Sequence, residues 1–145
     1  MLTLIALSND ITVAPQILPS DIREIAHLGF KSVINNRPDG EEVGQPLNGD
    51  IEQESEKYGL EYYHMPVISG QITSQQVAMF TDLLEKAPKP IVAFCRTGTR
   101  CSMLWSMGSE DFSTLTARVA KAKEKGFDLS RLIQGEFKDG TSPLS

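Results

Sequence analysis

The residues best suited to covalent chemistry lie in one seven-residue run, Cys95-Arg96-Thr97-Gly98-Thr99-Arg100-Cys101, called here the cysteine turn. The run follows four apolar residues at 91–94 and precedes a helical pattern, so we expect a tight turn between a buried strand and a helix. In such a turn, N–H groups point inward and the helix N-terminus adds partial positive charge. Together with Arg96 and Arg100, these groups favour the Cys95 thiolate over the thiol.

This arrangement predicts Cys95 as a nucleophile and Arg100 as a second catalytic residue. The residues expected to hold an oxyanion or a persulfide are Arg96, Thr97, Gly98, Thr99 and Cys101. An inert buried thiol is the alternative for Cys95, and the flanking arginines make it the weaker interpretation. For Cys101, a small packing residue turned toward the sheet is favoured over a resolving cysteine. We therefore expect Cys101 to be shielded from solvent and to form no disulfide at rest.

The composition is typical of one globular domain and argues against several classes of function. The chain has 145 residues, 40% of them hydrophobic, and a formal charge of −5, which disfavours nucleic-acid binding. No apolar run is long enough to cross a membrane, and the first residues lack the basic segment of a signal peptide. Two cysteines and two histidines are too few for a disulfide framework or for most histidine-based metal sites. We expect a cytoplasmic protein with no metal, no cofactor, and neither nucleic acid nor membrane as a partner.

Strand and helix patterns alternate along the chain. Strands are predicted at 11–13, 31–35, 60–67 and 91–94, and helices at 19–28, 51–58, 73–84, 102–107, 112–125 and 129–136. This alternation predicts a single α/β domain over residues 1–145, with a mostly parallel central sheet flanked by helices and a loose tail from about residue 138. Ligands bind at the carboxyl ends of strands in such sheets, which is where Cys95 falls.

Three separated segments together resemble one known family. They are residues 32–42 (SVINNRPDGEE), residues 63–67 (YHMPV) and the cysteine turn. Over about residues 11–107 the chain resembles the DUF442 family, also known as the beta-lactamase-hydrolase-like protein, phosphatase-like domain. The resemblance implies a dual-specificity or tyrosine-phosphatase-like fold and either phosphatase or sulfurtransferase activity.

Four further polar residues have simpler expectations. Arg37, which follows a predicted strand, either fixes its own loop through a salt bridge or supports the cysteine turn. Glu41 and Glu42 are expected to be a solvated pair. His64, which alternates with apolar neighbours, is expected to be a hydrogen-bonded core residue.

Sulfur transfer is favoured over phosphate hydrolysis. Tyrosine phosphatases place an arginine six positions after the nucleophile, a histidine before it, and an aspartic acid on an upstream loop. In this sequence the first two positions hold Cys101 and Phe94, and residues 66–71 contain no carboxylate. The turn instead matches the Cys-Arg-x-Gly-x-Arg pattern of rhodanese-type sulfurtransferases. Those enzymes form a persulfide and need no general acid, because thiolates and sulfite are good leaving groups.

The sequence therefore predicts a sulfurtransferase that moves sulfane sulfur through a Cys95 persulfide to a low-molecular-weight thiol such as glutathione. The alternatives are a cysteine-based phosphatase with a phosphocysteine intermediate, and a phosphoanion-binding protein without catalysis. The expected partners are small sulfur donors and thiol acceptors. From the resemblance, they also include a persulfide dioxygenase or another sulfide-oxidation enzyme.

Overall fold

Strands and helices alternate along the computed structural model, which describes residues 2–134. The strands are β1 Ile5–Ala6, β2 Ile11–Ala14, β3 Ser32–Asn35, β4 Glu61–His64 and β5 Ile91–Phe94. The helices are α1 Ile22–His27, α2 Asn48–Lys57, α3 Ser74–Lys86, α4 Thr99–Met107 and α5 Phe112–Glu124, with short 3₁₀ helices at Pro19–Asp21 and Ser130–Gln134. No helix in this part of the chain is long and apolar enough to span a bilayer. The tail and the end of the last predicted helix lie outside the described residues.

The sheet confirms the predicted α/β class. Its five strands follow the order β1-β2-β5-β3-β4, with β5 at the centre. β2, β5, β3 and β4 run parallel, and β1 pairs antiparallel with β2 at the edge. The prediction lacked β1 because a strand of two residues is too short to show a hydrophobic pattern.

The apolar sequence of β5 is explained by burial on both faces of the sheet. Ile91 and Ala93 belong to one hydrophobic cluster, and Val92 and Phe94 belong to the other. All four side chains are fully buried. Parallel strands that are covered on both faces are near-continuous apolar runs of this kind.

The parallel strands end in one row, which gathers the following loops at a single edge of the sheet. In this row Ala14 pairs with Phe94, Phe94 with Asn35, and Asn35 with His64. The pairing extends one residue further, since the N–H of Cys95 donates to the carbonyl of Ala14 at 3.4 Å. The loops after β2, β3, β4 and β5 therefore meet around Cys95.

Two element boundaries differ from the prediction for identifiable reasons. β4 ends at His64 instead of residue 67, because the pairing with β3 slips by one residue there: Met65 still donates to the carbonyl of Asn35 at 2.9 Å, but Val67 donates to that of Asn36 at 3.0 Å. α2 begins at Asn48, three residues earlier than expected. There the carboxylate of Asp39 accepts the N–H of Asn48 at 2.8 Å, a contact between positions nine residues apart that helical spacing does not reveal.

His64 is not the core residue that the sequence predicted. It lies on the edge strand β4 and is exposed. Its Nε2 is nevertheless hydrogen-bonded to the carbonyl of Arg37 at 3.0 Å. The alternation with apolar neighbours was misleading, because an edge strand leaves part of its surface open to solvent.

Candidate active site

Cys95 lies directly after β5, at the centre of the carboxyl edge of the sheet, and is fully buried. The N–H of Gly98 donates to its Sγ at 3.1 Å. Gly98 has φ +93°, a left-handed conformation that costs glycine little, and this conformation lets the chain turn back over the sulfur. The Gly98 carbonyl accepts the Ser102 hydroxyl at 2.9 Å, which ties the turn to α4.

The surroundings of Cys95 favour its thiolate. The hydrogen bond from the Cys101 thiol, against the opposing effect of burial, lowers the pKa of Cys95 to about 5, helped by backbone N–H groups of Cys101, Thr97 and Gly98. Cys95 is therefore a thiolate at neutral pH. The sequence attributed much of the lowering of this pKa to Arg96 and Arg100, whereas the groups that lower it are the Cys101 thiol and the backbone N–H groups.

Cys101 lies in the first turn of α4 and is completely buried in the same apolar cluster as Cys95. As expected, it is shielded from solvent and forms no disulfide, and its thiol lowers the pKa of the neighbouring Cys95. Burial raises the pKa of the Cys101 thiol well above its ordinary value, and the neighbouring Cys95 raises it further. Cys101 therefore keeps its proton and acts as a donor to the thiolate.

Arg100 is held by a carboxylate from another loop. Its Nη1 and Nη2 donate to Oε2 and Oε1 of Glu41, both at 2.9 Å, and Nη1 also donates to the carbonyl of Val67 at 2.9 Å. The Arg100 side chain is only 8% exposed. This bidentate ion pair with Glu41 fixes the Arg100 guanidinium in one orientation beside the cysteine turn.

Arg37 joins the same network from the end of β3. Its three nitrogens donate to Oε1 of Glu41 at 2.8 Å, Oε1 of Gln16 at 2.9 Å and Oε1 of Glu42 at 3.0 Å. With 1% of its side chain exposed, it is a buried charge that is fully paired. The structure thus gives Arg37 both of the roles that the sequence left open: it fixes its own loop and, through Glu41, it orients Arg100.

The acidic loop, residues 37–45, contains site residues that sequence reasoning missed. Glu41 and Glu42 were expected to be a solvated pair, and for Glu41 this is wrong, since it bridges Arg37 and Arg100. The hydrogen bond from Arg100, against partial desolvation and together with that from Arg37, lowers the pKa of Glu41 below its ordinary value of 4.5. One signal was available: the loop follows a buried strand at the carboxyl edge of a parallel sheet, where ligand-binding residues gather.

The cysteine turn and the acidic loop together line an open cavity of about 480 Å³. Arg96 and Thr97 are exposed at its mouth, and Thr97 accepts the N–H of Thr99 through its hydroxyl at 3.3 Å. The lining residues are Arg37, Glu41, Glu42, Ser69, Arg96, Thr97, Thr99, Arg100 and Met103. Of the predicted site residues, Cys95, Gly98 and Cys101 form the buried floor of the turn, and the others face this cavity.

A buried strand that delivers a cysteine into a tight turn, followed by a helix, places this protein in the class with a tyrosine-phosphatase-like fold. A crystal structure of a protein from Neisseria meningitidis Z2491, described as a candidate phosphatase, superimposes with a TM-score of 0.77 at 34% sequence identity. The match covers 90% of this chain and 93% of that protein.

The chain belongs to the family named beta-lactamase hydrolase-like protein, phosphatase-like domain, whose sequence profile matches residues 3–111. A beta-lactamase hydrolase-like protein from Agrobacterium fabrum is 33% identical over 131 residues, covering 86% of this chain. One from Xylella fastidiosa is 27% identical over 132 residues, covering 90% of this chain. The chain spans about 30% of the length of these relatives.

Proposed function

We propose that the protein is a cysteine-dependent sulfurtransferase in which Cys95 takes up sulfane sulfur as a persulfide and passes it to a small thiol such as glutathione. The thiolate attacks the sulfane sulfur of the donor, and the leaving group departs with the electron pair of the broken bond. An acceptor thiolate then attacks the outer sulfur of the persulfide and regenerates the Cys95 thiolate.

The observation that carries this proposal is the pairing of the carboxylates that line the cavity with arginines. Glu41 and Glu42, the carboxylates that line it, are both tied to arginines, and the lowered pKa of Glu41 keeps that group ionised. A phenolate or alkoxide leaving group needs a proton, and an ionised, arginine-bound carboxylate is a poor source of one. Sulfite and thiolates leave without protonation, so sulfur transfer needs nothing that this cavity lacks.

The cysteine turn also suits the chemistry of a persulfide. The N–H of Gly98 points at Sγ, and Arg100 lines the cavity with its charge near enough to interact with that of Cys95. Such preorganised donors stabilise the negative charge that moves from the thiolate sulfur to the outer sulfur.

Phosphate-ester hydrolysis through a phosphocysteine is the second candidate function, and the comparisons favour it. The family carries the description phosphatase-like, and the Neisseria protein is described as a candidate phosphatase. The inward-pointing N–H groups of the turn suit a tetrahedral oxyanion as well as a persulfide. The difference between the two functions lies in the leaving group and its proton.

The deciding experiment measures what Cys95 carries after exposure to each substrate class. We expect intact-mass spectrometry to show one added sulfur atom on Cys95 after incubation with thiosulfate or glutathione persulfide, with release to glutathione. The Cys95→Ser variant should carry no added sulfur and should lose transfer by at least about 10³-fold. Rapid hydrolysis of an aryl phosphate without sulfur loading would establish the phosphatase instead.

The proposal also specifies partners and compartment. The partners are small sulfur donors and thiol acceptors, with a persulfide-consuming enzyme such as a persulfide dioxygenase downstream. Cys95 and Cys101 must remain reduced for the reaction to run. The proposal therefore places the protein in a reducing compartment such as the cytoplasm.

A further inference from the structure

We propose that Glu41 and Glu42 make the cavity selective for sulfur donors whose reacting end carries a single negative charge, such as thiosulfonates and alkyl persulfides, over dianions such as thiosulfate. The proposal rests on sulfur transfer as the function and names the substrate class of that same site. It follows from how the charges in the cavity are paired.

The formal charges of the site cancel. The cavity is lined by three arginines and two glutamates, and the Cys95 thiolate lies beneath them. Each arginine has a glutamate oxygen within 4.0 Å: Arg37 and Arg100 at 2.8 and 2.9 Å, and Arg96 at 3.9 Å. A site that already holds as much negative as positive charge offers little net attraction to a dianion.

Arg100 has limited hydrogen-bonding capacity for a donor molecule. Three of its five N–H groups are used, two by Glu41 and one by Val67. The two N–H groups without a partner among the described residues, Nε–H and one on Nη2, suffice for one or two acceptor atoms. Full pairing with a compact dianion would require Glu41 to release the guanidinium.

Glu42 places negative charge at the mouth of the cavity. Its side chain is 52% exposed, and its Oε1 lies 3.0 Å from Nη2 of Arg37 and 3.9 Å from Nε of Arg96. A donor that enters the cavity meets this carboxylate in its lining. Coulomb repulsion is proportional to charge, so at the same distance a dianion meets twice the repulsion of a monoanion.

Thiosulfate and methanethiosulfonate form a matched pair of probes. Both carry a terminal sulfur on a tetrahedral sulfonyl centre, and a methyl group in the second replaces one charged oxygen of the first. In each case the Cys95 thiolate bonds to the terminal sulfur, and the sulfur–sulfur bond of the donor breaks. The bonding pair leaves with sulfite or methanesulfinate, and a Cys95 persulfide anion remains.

The experiment measures the second-order rate constant for persulfide formation on Cys95 with each probe, by quenched-flow and intact-mass spectrometry. In Glu42→Gln we expect the thiosulfate constant to rise about five- to tenfold relative to the methanethiosulfonate constant. That factor corresponds to the repulsion between the Glu42 charge and the additional negative charge of thiosulfate, at roughly 6–8 Å in a partly solvated site. Glu56→Gln is the matched control, because Glu56 is exposed near the end of α2, which precedes β4 and so ends at the opposite edge of the sheet. Its ratio should equal that of the wild type.

Glu41→Gln provides a second test, accompanied by a thermal unfolding measurement because Glu41 also holds two arginines. We expect it to change the ratio in the same direction and by a larger factor, since it frees Arg100. An unchanged ratio in both Glu42→Gln and a folded Glu41→Gln, with both probes loading Cys95, would overturn the selectivity while leaving sulfur transfer intact. If neither probe loads wild-type Cys95, sulfur transfer itself is wrong.

Discussion

The cysteine turn and the acidic loop face each other across one cavity, and they perform different tasks. The turn is compact, buried at Cys95 and Gly98, and made mostly of hydrogen-bond donors aimed at one sulfur atom. The acidic loop is longer and carries no nucleophile, and its glutamates hold the arginines of both loops. The cysteine turn therefore supplies the candidate nucleophile, Cys95. The acidic loop determines how much positive charge a substrate meets in the cavity.

The two arginines of the Cys-Arg-x-Gly-x-Arg pattern, Arg96 and Arg100, are therefore not equivalent. Arg100 is buried and clamped by Glu41, whereas the side chain of Arg96 is 62% exposed and 3.9 Å from Glu42. Their spacing in the sequence suggests a pair acting together on the sulfur. Their pairing across the cavity instead makes Arg100 a fixed part of the site and Arg96 an exposed charge at its mouth.

Apart from substitution of Cys95, the largest effect on the rate is expected from breaking the Glu41–Arg100 ion pair that joins the two loops. Arg100→Ala should lower the rate of sulfur transfer by about 10- to 100-fold, because it removes a preorganised donor and leaves Glu41 with Arg37 as its one arginine partner. Arg100→Lys should recover only part of the rate, since lysine keeps the charge but cannot make the bidentate contact. Steady-state rates with thermal unfolding as a folding control measure this, and an unchanged rate in Arg100→Ala would restrict the residue to a structural role.

A smaller effect should come from within the cysteine turn. Labelling of wild-type Cys95 by iodoacetamide should rise as the pH increases through about 5 and then level off, because the thiolate is the reactive form. Cys101→Ala should move this midpoint upward by about one pH unit or more, the loss of one hydrogen bond to a charged group. Cys101→Ser keeps a donor and should move it less. If the midpoint stays in place in Cys101→Ala, the loop N–H groups alone account for the low pKa.

The smallest effect should come from the exposed arginine. Arg96→Ala should change the transfer rate with a monoanionic donor by no more than about threefold, as expected for a solvated ion pair. The same kinetic assay as for Arg100→Ala provides the measurement. A loss as large as that of Arg100→Ala would show that the two arginines act as an equivalent pair, contrary to the difference in their burial.

The strand–turn–helix arrangement around Cys95 could be predicted because it is local in the sequence. Cys95, Gly98 and the strand at Ile91–Phe94 are neighbours, so the apolar run, the glycine and the following helix predict the turn without knowledge of the rest of the chain. The Glu41–Arg100 ion pair could not be predicted in this way, because the two residues are 59 positions apart and only the sheet order brings β3 beside β5. The same limit applies to His64, whose exposure depends on β4 being the edge strand.

The packing of Gly98 shows that the region needed to shape the turn extends beyond the region that defines the family. A side-chain carbon at Gly98 would lie 3.2 Å from the ring of Phe127, so that ring stands directly behind the turn. Phe127 and its neighbours Ala122, Leu129 and Leu132 share a core with Cys95, yet the family's sequence profile ends at residue 111. The part of the chain that the family profile describes is thus shorter than the part that packs around Cys95. A substitution at Phe127 is therefore a way to change the reactivity of Cys95 while every residue of the cysteine turn stays the same.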